Sequence, residues 1–312
     1  MATHLITGGA GFIGSHLVDL LACAGEQVMV FDNLSSGCRS NLPVLDNVSL
    51  VEADILDEPA LANALRGADV VYHLAAAISV AESVSDPRAC LRNNVDGTFY
   101  LLEAARQAGV RRVVLASSCA VYGDATPPPV GEMSALSPQS PYAASKAMDE
   151  SLAEAFFHSY GLETVCLRFF NVYGPRQRAD SGYAAAIPIF VDRLLRGLPA
   201  MIFGDGLQTR DFVHVRDVAR ALKLAGEVSP EALKQSRVFN VASGEPTSIL
   251  QLLDALRQGG LSAPDHQFLP ARPGEVRHSY GRTKRAQDVL GFSAEIGIAA
   301  GLQELIAKGE SK

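Results

Sequence analysis

The chain has 312 residues, of which 48% are hydrophobic and 20% charged, with a formal net charge of −7. That length and composition describe a globular chain able to bury one generous core or two smaller ones, and the acidic balance argues against nucleic acid as a partner. No apolar run reaches the length of a membrane span, and Met1 leads directly into His4-Leu5-Ile6 without a basic leader, so no membrane partner and a cytoplasmic location are expected.

Short apolar runs then alternate with longer amphipathic ones. Leu5-Ile6 gives way to a helix from about Phe12 to Ala24, and Val28–Phe31 and Val48–Val51 read as strands. A helix over Glu58–Leu65 precedes a strand at Val70–Leu74, and a long helix from about Pro87 to Ala108 precedes Val113–Ala116. Another helix, Ser140–Tyr160, leads into Thr164–Leu167. This βαβ repetition with apolar, often β-branched strands predicts a doubly wound parallel sheet of Rossmann type, covered by helices on both faces. After Asn171 the rhythm changes. The stretch from Gly174 to Gly206 reads as an irregular insertion with one helix, a helix opens at Val215, and Val238–Val241 looks like one more sheet strand. A helix at Ser248–Arg257, a Pro/Gly-rich loop from Pro264 to Gly274 and a last helix at Thr283–Leu290 follow. The expected domains are a dinucleotide-binding unit over 1–170, to which 208–243 returns, and a smaller mixed α/β substrate lobe over 171–207 and 244–312.

Thr7 to Gly14 joins the first strand to the first helix with glycines at 8, 11 and 14. Such a turn can be no more than a tight connection, but at this place in a βαβ series it lets backbone amides approach a pyrophosphate at a helix N-terminus. Asp32 ends the second strand, where a carboxylate accepts hydrogen bonds from ribose hydroxyls and repels a 2′-phosphate, so NAD is expected over NADP. Arg39, a few residues on, works against that preference.

Tyr142 and Lys146 stand four apart on a predicted helix and so share a face. A tyrosine with a pKa of about 10 is a poor base at neutral pH, but a neighbouring cation favours its phenolate. Ser118, at the end of the fifth strand, offers a hydroxyl able to hold or relay a proton. The five cysteines, at 23, 38, 90, 119 and 166, are scattered without ligand spacing and are read as reduced thiols, with no metal expected.

Gly8–Gly14, Asp32, Asp54-Ile55, His73-Leu-Ala-Ala76, Asn93-Asn94-Val95, Ser118, Tyr142-x-x-x-Lys146 and Arg168-Phe-Phe-Asn171-Val-Tyr-Gly-Pro175 together resemble the extended short-chain dehydrogenase/reductase family, and within it the nucleotide-sugar epimerases. The resemblance implies NAD held by Gly8, Gly11, Phe12, Ile13, Gly14, Asp32 and Asn33. It places Asp54 and Ile55 near the adenine, Leu74, Ala75 and Ala76 along the groove, and Asn94 near the cofactor. It makes Tyr142 the acid/base, Lys146 its activator and a ribose ligand, and Ser118 a hydrogen-bonding partner of the reacting oxygen. It further implies a homodimer, and a UDP-sugar held by Phe170, Asn171, Arg210, Arg272, Glu275 and Ser279.

Related 4,6-dehydratases place an Asp-Glu pair directly after the active-site hydroxyl residue, where this chain has Cys119 and Ala120. Neither can supply that acid and base, and Cys119 reads as a packing residue. The expectation is therefore redox-neutral C4 epimerisation of a UDP-hexose through a 4-keto sugar, with uronate or CDP-sugar versions and a silent NAD-binding sensor as alternatives. Ser279 stands where related enzymes restricted to plain sugars carry tyrosine, which leaves room for an N-acetyl group. Tyr280 follows directly, so a slip of one residue would reverse that reading.

Overall fold

The computed structural model describes residues 2–124, 126–178, 186–261, 265–271 and 276–309. The first half alternates strand and helix: β1 (Thr3–Thr7), α1 (Phe12–Cys23), β2 (Gln27–Asp32), β3 (Val48–Glu52), α2 (Glu58–Ala64) and β4 (Val70–His73). It continues through α3 (Val80–Ser85), α4 (Pro87–Leu91), α5 (Gly97–Ala108), β5 (Arg112–Ser118), α6 (Pro141–Tyr160) and β6 (Glu163–Phe169). Then come β7 (Asn171–Tyr173), α7 (Ala186–Leu195), β8 (Met201–Phe203), β9 (Thr209–His214), α8 (Val215–Glu227) and β10 (Val238–Val241). The chain closes with β11 (Pro246–Ser248), α9 (Ile249–Gln258), β12 (Gln267–Leu269), β13 (His278–Ser279), α10 (Lys284–Leu290) and α11 (Ile298–Gly309).

Seven strands form one parallel sheet in the order β10-β6-β5-β4-β1-β2-β3. The expected Rossmann-type sheet is therefore present. Every residue of β4 is buried, as a strand covered on both faces requires. One face packs on α1 and α8 through Leu17, Leu21, Val218 and Leu222; the other packs on α2, α5 and α6 through Leu61, Leu101, Ala153 and Phe156. Strand order reverses between β1 and β4, and a crevice opens at the carboxyl ends of those strands, where open α/β sheets bind ligands. Beyond the large sheet, β7, β9, β11 and β13 form a second sheet and β8 pairs β12. These pack with α7, α9 and α11 around Phe190, Ile202, Leu253 and Leu302. No helix among the described residues is long and apolar enough to cross a membrane.

Two expectations need correction. The helix read over Pro87–Ala108 is interrupted by a π-helical turn at Arg92–Asp96, a distortion frequent at functional sites. A separate helix, α3, precedes it, capped by the Ser79 side chain. Thr283–Leu290 is not the last helix: α11 follows and buries Leu302 and Ile306. Its central Gly301 weakens the helical signal in sequence, yet the position excludes a side chain because a Cβ there would lie 2.3 Å from the Tyr173 hydroxyl oxygen.

Candidate active site

A groove of about 450 Å³ runs across the carboxyl ends of the central strands. Its floor at one end is the turn between β1 and α1. Gly8 adopts φ +68° and a Cβ there would sit 2.7 Å from the Ala75 nitrogen, while a Cβ on Gly14 would meet the Gly8 carbonyl oxygen at 2.3 Å. The backbone can therefore close to this distance only with hydrogen in place of a side chain. Gly11 caps α1 without any side-chain hydrogen bond, and no acidic residue occupies the first turn. The free amide donors and the positive end of the helix dipole consequently remain available to an anion in the groove. Phe12, Ile13, Leu74, Ala75 and Ala76 line the adjoining walls.

At the far end of β2, Asp32 is 7% exposed. One carboxylate oxygen accepts from the Ala10 amide at 2.9 Å and the other from the Leu34 amide at 2.8 Å. The carboxylate thus braces the glycine turn as well as facing the groove, and spare lone pairs remain on each oxygen. Asn33 and Ile55 also line the groove, beside Ser35 and Ser36. Asp54 instead accepts from the Asn33 side chain at 2.8 Å and from the Leu56 amide at 2.9 Å, so it orients Asn33. Arg39 is paired with Glu52 at 2.6 Å on the surface.

Asn94 lies behind the groove wall, bonded to the lining residue Ala77. It is buried, its Oδ1 accepts from the Ala77 amide at 2.7 Å, and its Nδ2 donates to the Ala77 carbonyl and the Ser145 hydroxyl, each at 3.0 Å. Its carboxamide pins the loop after β4 to α6, and Asn93 takes the place on the groove wall. The π-helical turn carries both residues.

The opposite end of the groove holds Ser118, Tyr142 and Lys146 together. Ser118 ends β5, and its hydroxyl oxygen accepts from the Ala120 amide at 3.2 Å. α6 begins where Ser140 caps the Ala143 amide at 3.1 Å and Pro141 fills the first turn, a strong start signal. The Tyr142 amide donates to the Ser83 hydroxyl at 3.2 Å. Below, Arg168 on β6 forks onto Glu150 at 2.8 and 2.6 Å, and Glu150 also accepts from Ser117 at 2.5 Å. These buried contacts lock α6 to the sheet, so the first turn of the helix cannot drift from Ser118.

Burial raises the Tyr142 phenol, and it outweighs the lowering effects of the Lys146 ammonium and the Ser118 hydrogen bond. Sequence reasoning weighed the pull of neighbouring positive charge and left burial out. Burial also works against the Lys146 charge, but Asp149 and Tyr142 together raise its pKa above the ordinary value. Lys146 therefore stays an ammonium at neutral pH.

Towards the second sheet, Phe170 lines the groove. Asn171 donates to the Asp211 carbonyl at 3.2 Å, and Arg210 donates to the carbonyls of Thr209 and Arg277 at 2.9 and 3.2 Å. The Ser279 hydroxyl lies 4.0 Å from the Cys119 sulfur, so Ser279 faces the residue beside Ser118, while Tyr280 contributes a carbonyl to the Val130 amide. A second cavity of about 180 Å³ is lined by Cys119, Ser279 and Pro127. Burial pushes the Cys119 thiol up to about 11, which keeps it protonated. Arg272 and Glu275 lie outside the described residues.

Asp211, not singled out from sequence, organises this region. Its carboxylate accepts from the amides of Ser243, Gly244 and Gly281 at 2.7, 3.0 and 3.3 Å. Gln177 also lines the groove. Only three-dimensional convergence gives these two a role of their own, although Asp211 directly follows Arg210 in sequence.

The sequence profile of the NAD dependent epimerase/dehydratase family matches residues 4–242. The chain belongs to the NAD-dependent epimerase/dehydratase family. It is 43% identical over 311 residues to a UDP-glucose 4-epimerase of Mycolicibacterium smegmatis, covering 97% of this chain and 96% of that one. Among solved structures, a UDP-N-acetylglucosamine 4-epimerase from Methanobrevibacter ruminantium, in complex with UDP-N-acetylmuramic acid, superposes with a TM-score of 0.94 at 38% identity. That match covers 99% of this chain and 98% of the other. A Thermotoga maritima UDP-glucose 4-epimerase with UDP-glucose gives 0.93 at 38% identity, covering 99% of each chain. NAD is accordingly the cofactor of this epimerase, and the side-chain-free glycine turn and uncapped helix start fit its pyrophosphate.

Proposed function

We propose that the protein interconverts C4 epimers of a UDP-hexose, accepting UDP-glucose and UDP-galactose and also their N-acetylated counterparts. The observation that carries this reading is a groove ending on Ser118, Tyr142 and Lys146, with Cys119 and Ala120 rather than an Asp-Glu pair directly after Ser118. Cys119 is held as a thiol and Ala120 has no proton to give, so elimination of water lacks its machinery. Related 4,6-dehydratases of similar length, such as one from Streptomyces niveus at 34% identity, make this distinction the relevant one.

In this reading Gly8, Gly11 and Gly14 with the start of α1 hold the NAD pyrophosphate, Asp32 and Asn33 its adenosine ribose, and Lys146 the nicotinamide ribose. Bound NAD supplies a reversible two-electron oxidation of the sugar carbon. Tyr142 accepts the proton of the C4 hydroxyl and returns it once the 4-keto sugar has turned its other face. The Ser118 hydroxyl holds the reacting oxygen in line with Tyr142, which keeps the proton transfer short in both directions. Lys146 supports the negative phenolate that exists before each proton uptake. The mixed lobe around β9 binds the nucleotide: Arg210 and Arg272 suit a diphosphate because guanidinium donors match phosphate oxygens, with Phe170, Asn171 and Glu275 completing the site.

Ser279 and the cavity beside Cys119 support acceptance of an N-acetyl group. Incubation with UDP-galactose, UDP-N-acetylgalactosamine and UDP-glucuronate, followed by NMR of the products, tests the assignment. C4 epimers of the first two are expected, and Ser279→Tyr should cut turnover of the acetylated sugar while sparing the plain one. Equal losses on both would remove Ser279 as the gate; epimerisation of the glucuronate alone would replace the hexose by a uronate as substrate.

A further inference from the structure

Lys146 is held from behind by a charge that the reaction itself does not require. Asp149 lies one turn further along α6, and its Oδ2 is 3.2 Å from the Lys146 ammonium, with side-chain exposures of 4% for the lysine and 3% for the aspartate. A carboxylate buried to this degree is costly unless it is paired and hydrogen-bonded. The Thr98 hydroxyl of α5 bears on the same carboxylate and lies 3.0 Å from His73 Nε2. His73 Nδ1 in turn lies 2.8 Å from the Thr7 hydroxyl, which accepts from the amides of Leu74 and Ala75 at 3.2 and 3.3 Å. A run of polar groups therefore reaches through the interior from the strand end beside the glycine turn to Thr98, with the Lys146-Asp149 pair buried next to it.

We propose that Asp149 is a positioning residue for the reaction: its buried carboxylate fixes the Lys146 ammonium behind Tyr142, and its negative charge restrains proton release from the Tyr142-Lys146 pair. The proposal rests on the acid/base assignment made above. With Asp149 ionised, Lys146 protonated and Tyr142 neutral, the buried cluster carries no net charge, and loss of one proton leaves it at −1. With an uncharged residue at 149 the cluster starts at +1 and the same loss neutralises it. Burial favours the neutral state, so the phenol releases its proton at lower pH, beside a lysine that keeps its charge. Asp149 thus trades ease of deprotonation for a fully charged and fixed lysine. The other groups facing the carboxylate do not substitute for it. Glu150 is committed to Arg168, burial holds His73 neutral with its pKa lowered to about 3, and burial keeps the Cys90 and Cys166 thiols protonated.

The test uses the NAD-loaded enzyme and its Asp149→Asn, Asp149→Ser and Asp149→Glu variants. Two readouts are followed against pH: the phenolate absorbance difference relative to the matching Tyr142→Phe protein, and kcat/KM. A rate that requires the deprotonated pair rises with pH through the pair's first pKa, so a lower pKa moves that limb to the acid side. Both neutral variants should shift the absorbance titration and the acidic limb downward by about one pH unit or more, and Asp149→Glu should restore the wild-type position. Either neutral variant suffices if the other does not fold. An unchanged or alkaline-shifted titration in a folded neutral variant overturns the proposal, whatever its turnover. The absorbance titration reads the charge coupling without any substrate, so an enzyme that failed to epimerise UDP-hexoses would sink the functional reading and leave this one separately decided.

Discussion

In the proposed cycle Tyr142 starts at a disadvantage, because the burial that excludes water also raises its phenol. The compensation comes from Lys146, kept charged by Asp149, and from the Ser118 hydroxyl. Replacing Tyr142 by Phe removes the proton acceptor without removing a groove wall. Turnover should fall about 100- to 10,000-fold, the usual worth of a positioned acid/base, while co-purified NAD, read by absorbance after desalting, stays at the wild-type level. Retained turnover would take Tyr142 out of the proton transfer. Ser118, Tyr142 and Lys146 were legible in the sequence because a helical spacing of four and a strand end are local features. Asp149 was not, since its role depends on which face of α6 is buried and on partners from α5 and β4. Asn93 and Asn94 were separable only once the π-helical turn was seen.

Among the elements, α6 carries most of the burden. Ser140 and Pro141 fix where it begins, Arg168 and Glu150 fix how it sits on the sheet, and together they set Tyr142 and Lys146 opposite Ser118. Its outer face, with that of α5, is more apolar than a solvated helix pair needs. Phe99 and Met148 are 45% and 46% exposed, and an apolar hollow lies among Val95, Pro138, Ala147 and Leu152. We propose that a second copy of the chain covers this face through a four-helix contact. Molar mass in solution should be twice that of the chain, and Met148→Glu should lower it to the monomer value at micromolar concentration; a monomeric wild type would contradict this. The βαβ elements were readable because each is a short apolar run bounded by turn residues. The two smaller sheets were not, since β7, β8, β11, β12 and β13 span two or three residues each, too short for any periodicity to show, and α11 hides behind its glycine.

At the scale of the whole molecule, the parallel sheet presents its carboxyl edge to the groove proposed to hold NAD. The smaller sheet brings Ser279 and Arg210 over the same end as the reacting triad. Strand alternation and the glycine turn made the first half predictable. The approach of the two sheets was not, because it depends on Asp211 gathering three backbone amides from distant loops. In the proposed mechanism this arrangement oxidises a sugar carbon, lets the ketone turn and reduces it again without exchange of the transferred hydrogen with water, since that hydrogen is never released as a proton. UDP-galactose carrying deuterium at C4, incubated with the enzyme in ordinary water and analysed by NMR, tests this directly. The account predicts UDP-glucose with the deuterium still on C4. Loss of the label to solvent, or a product that has lost water, would contradict it.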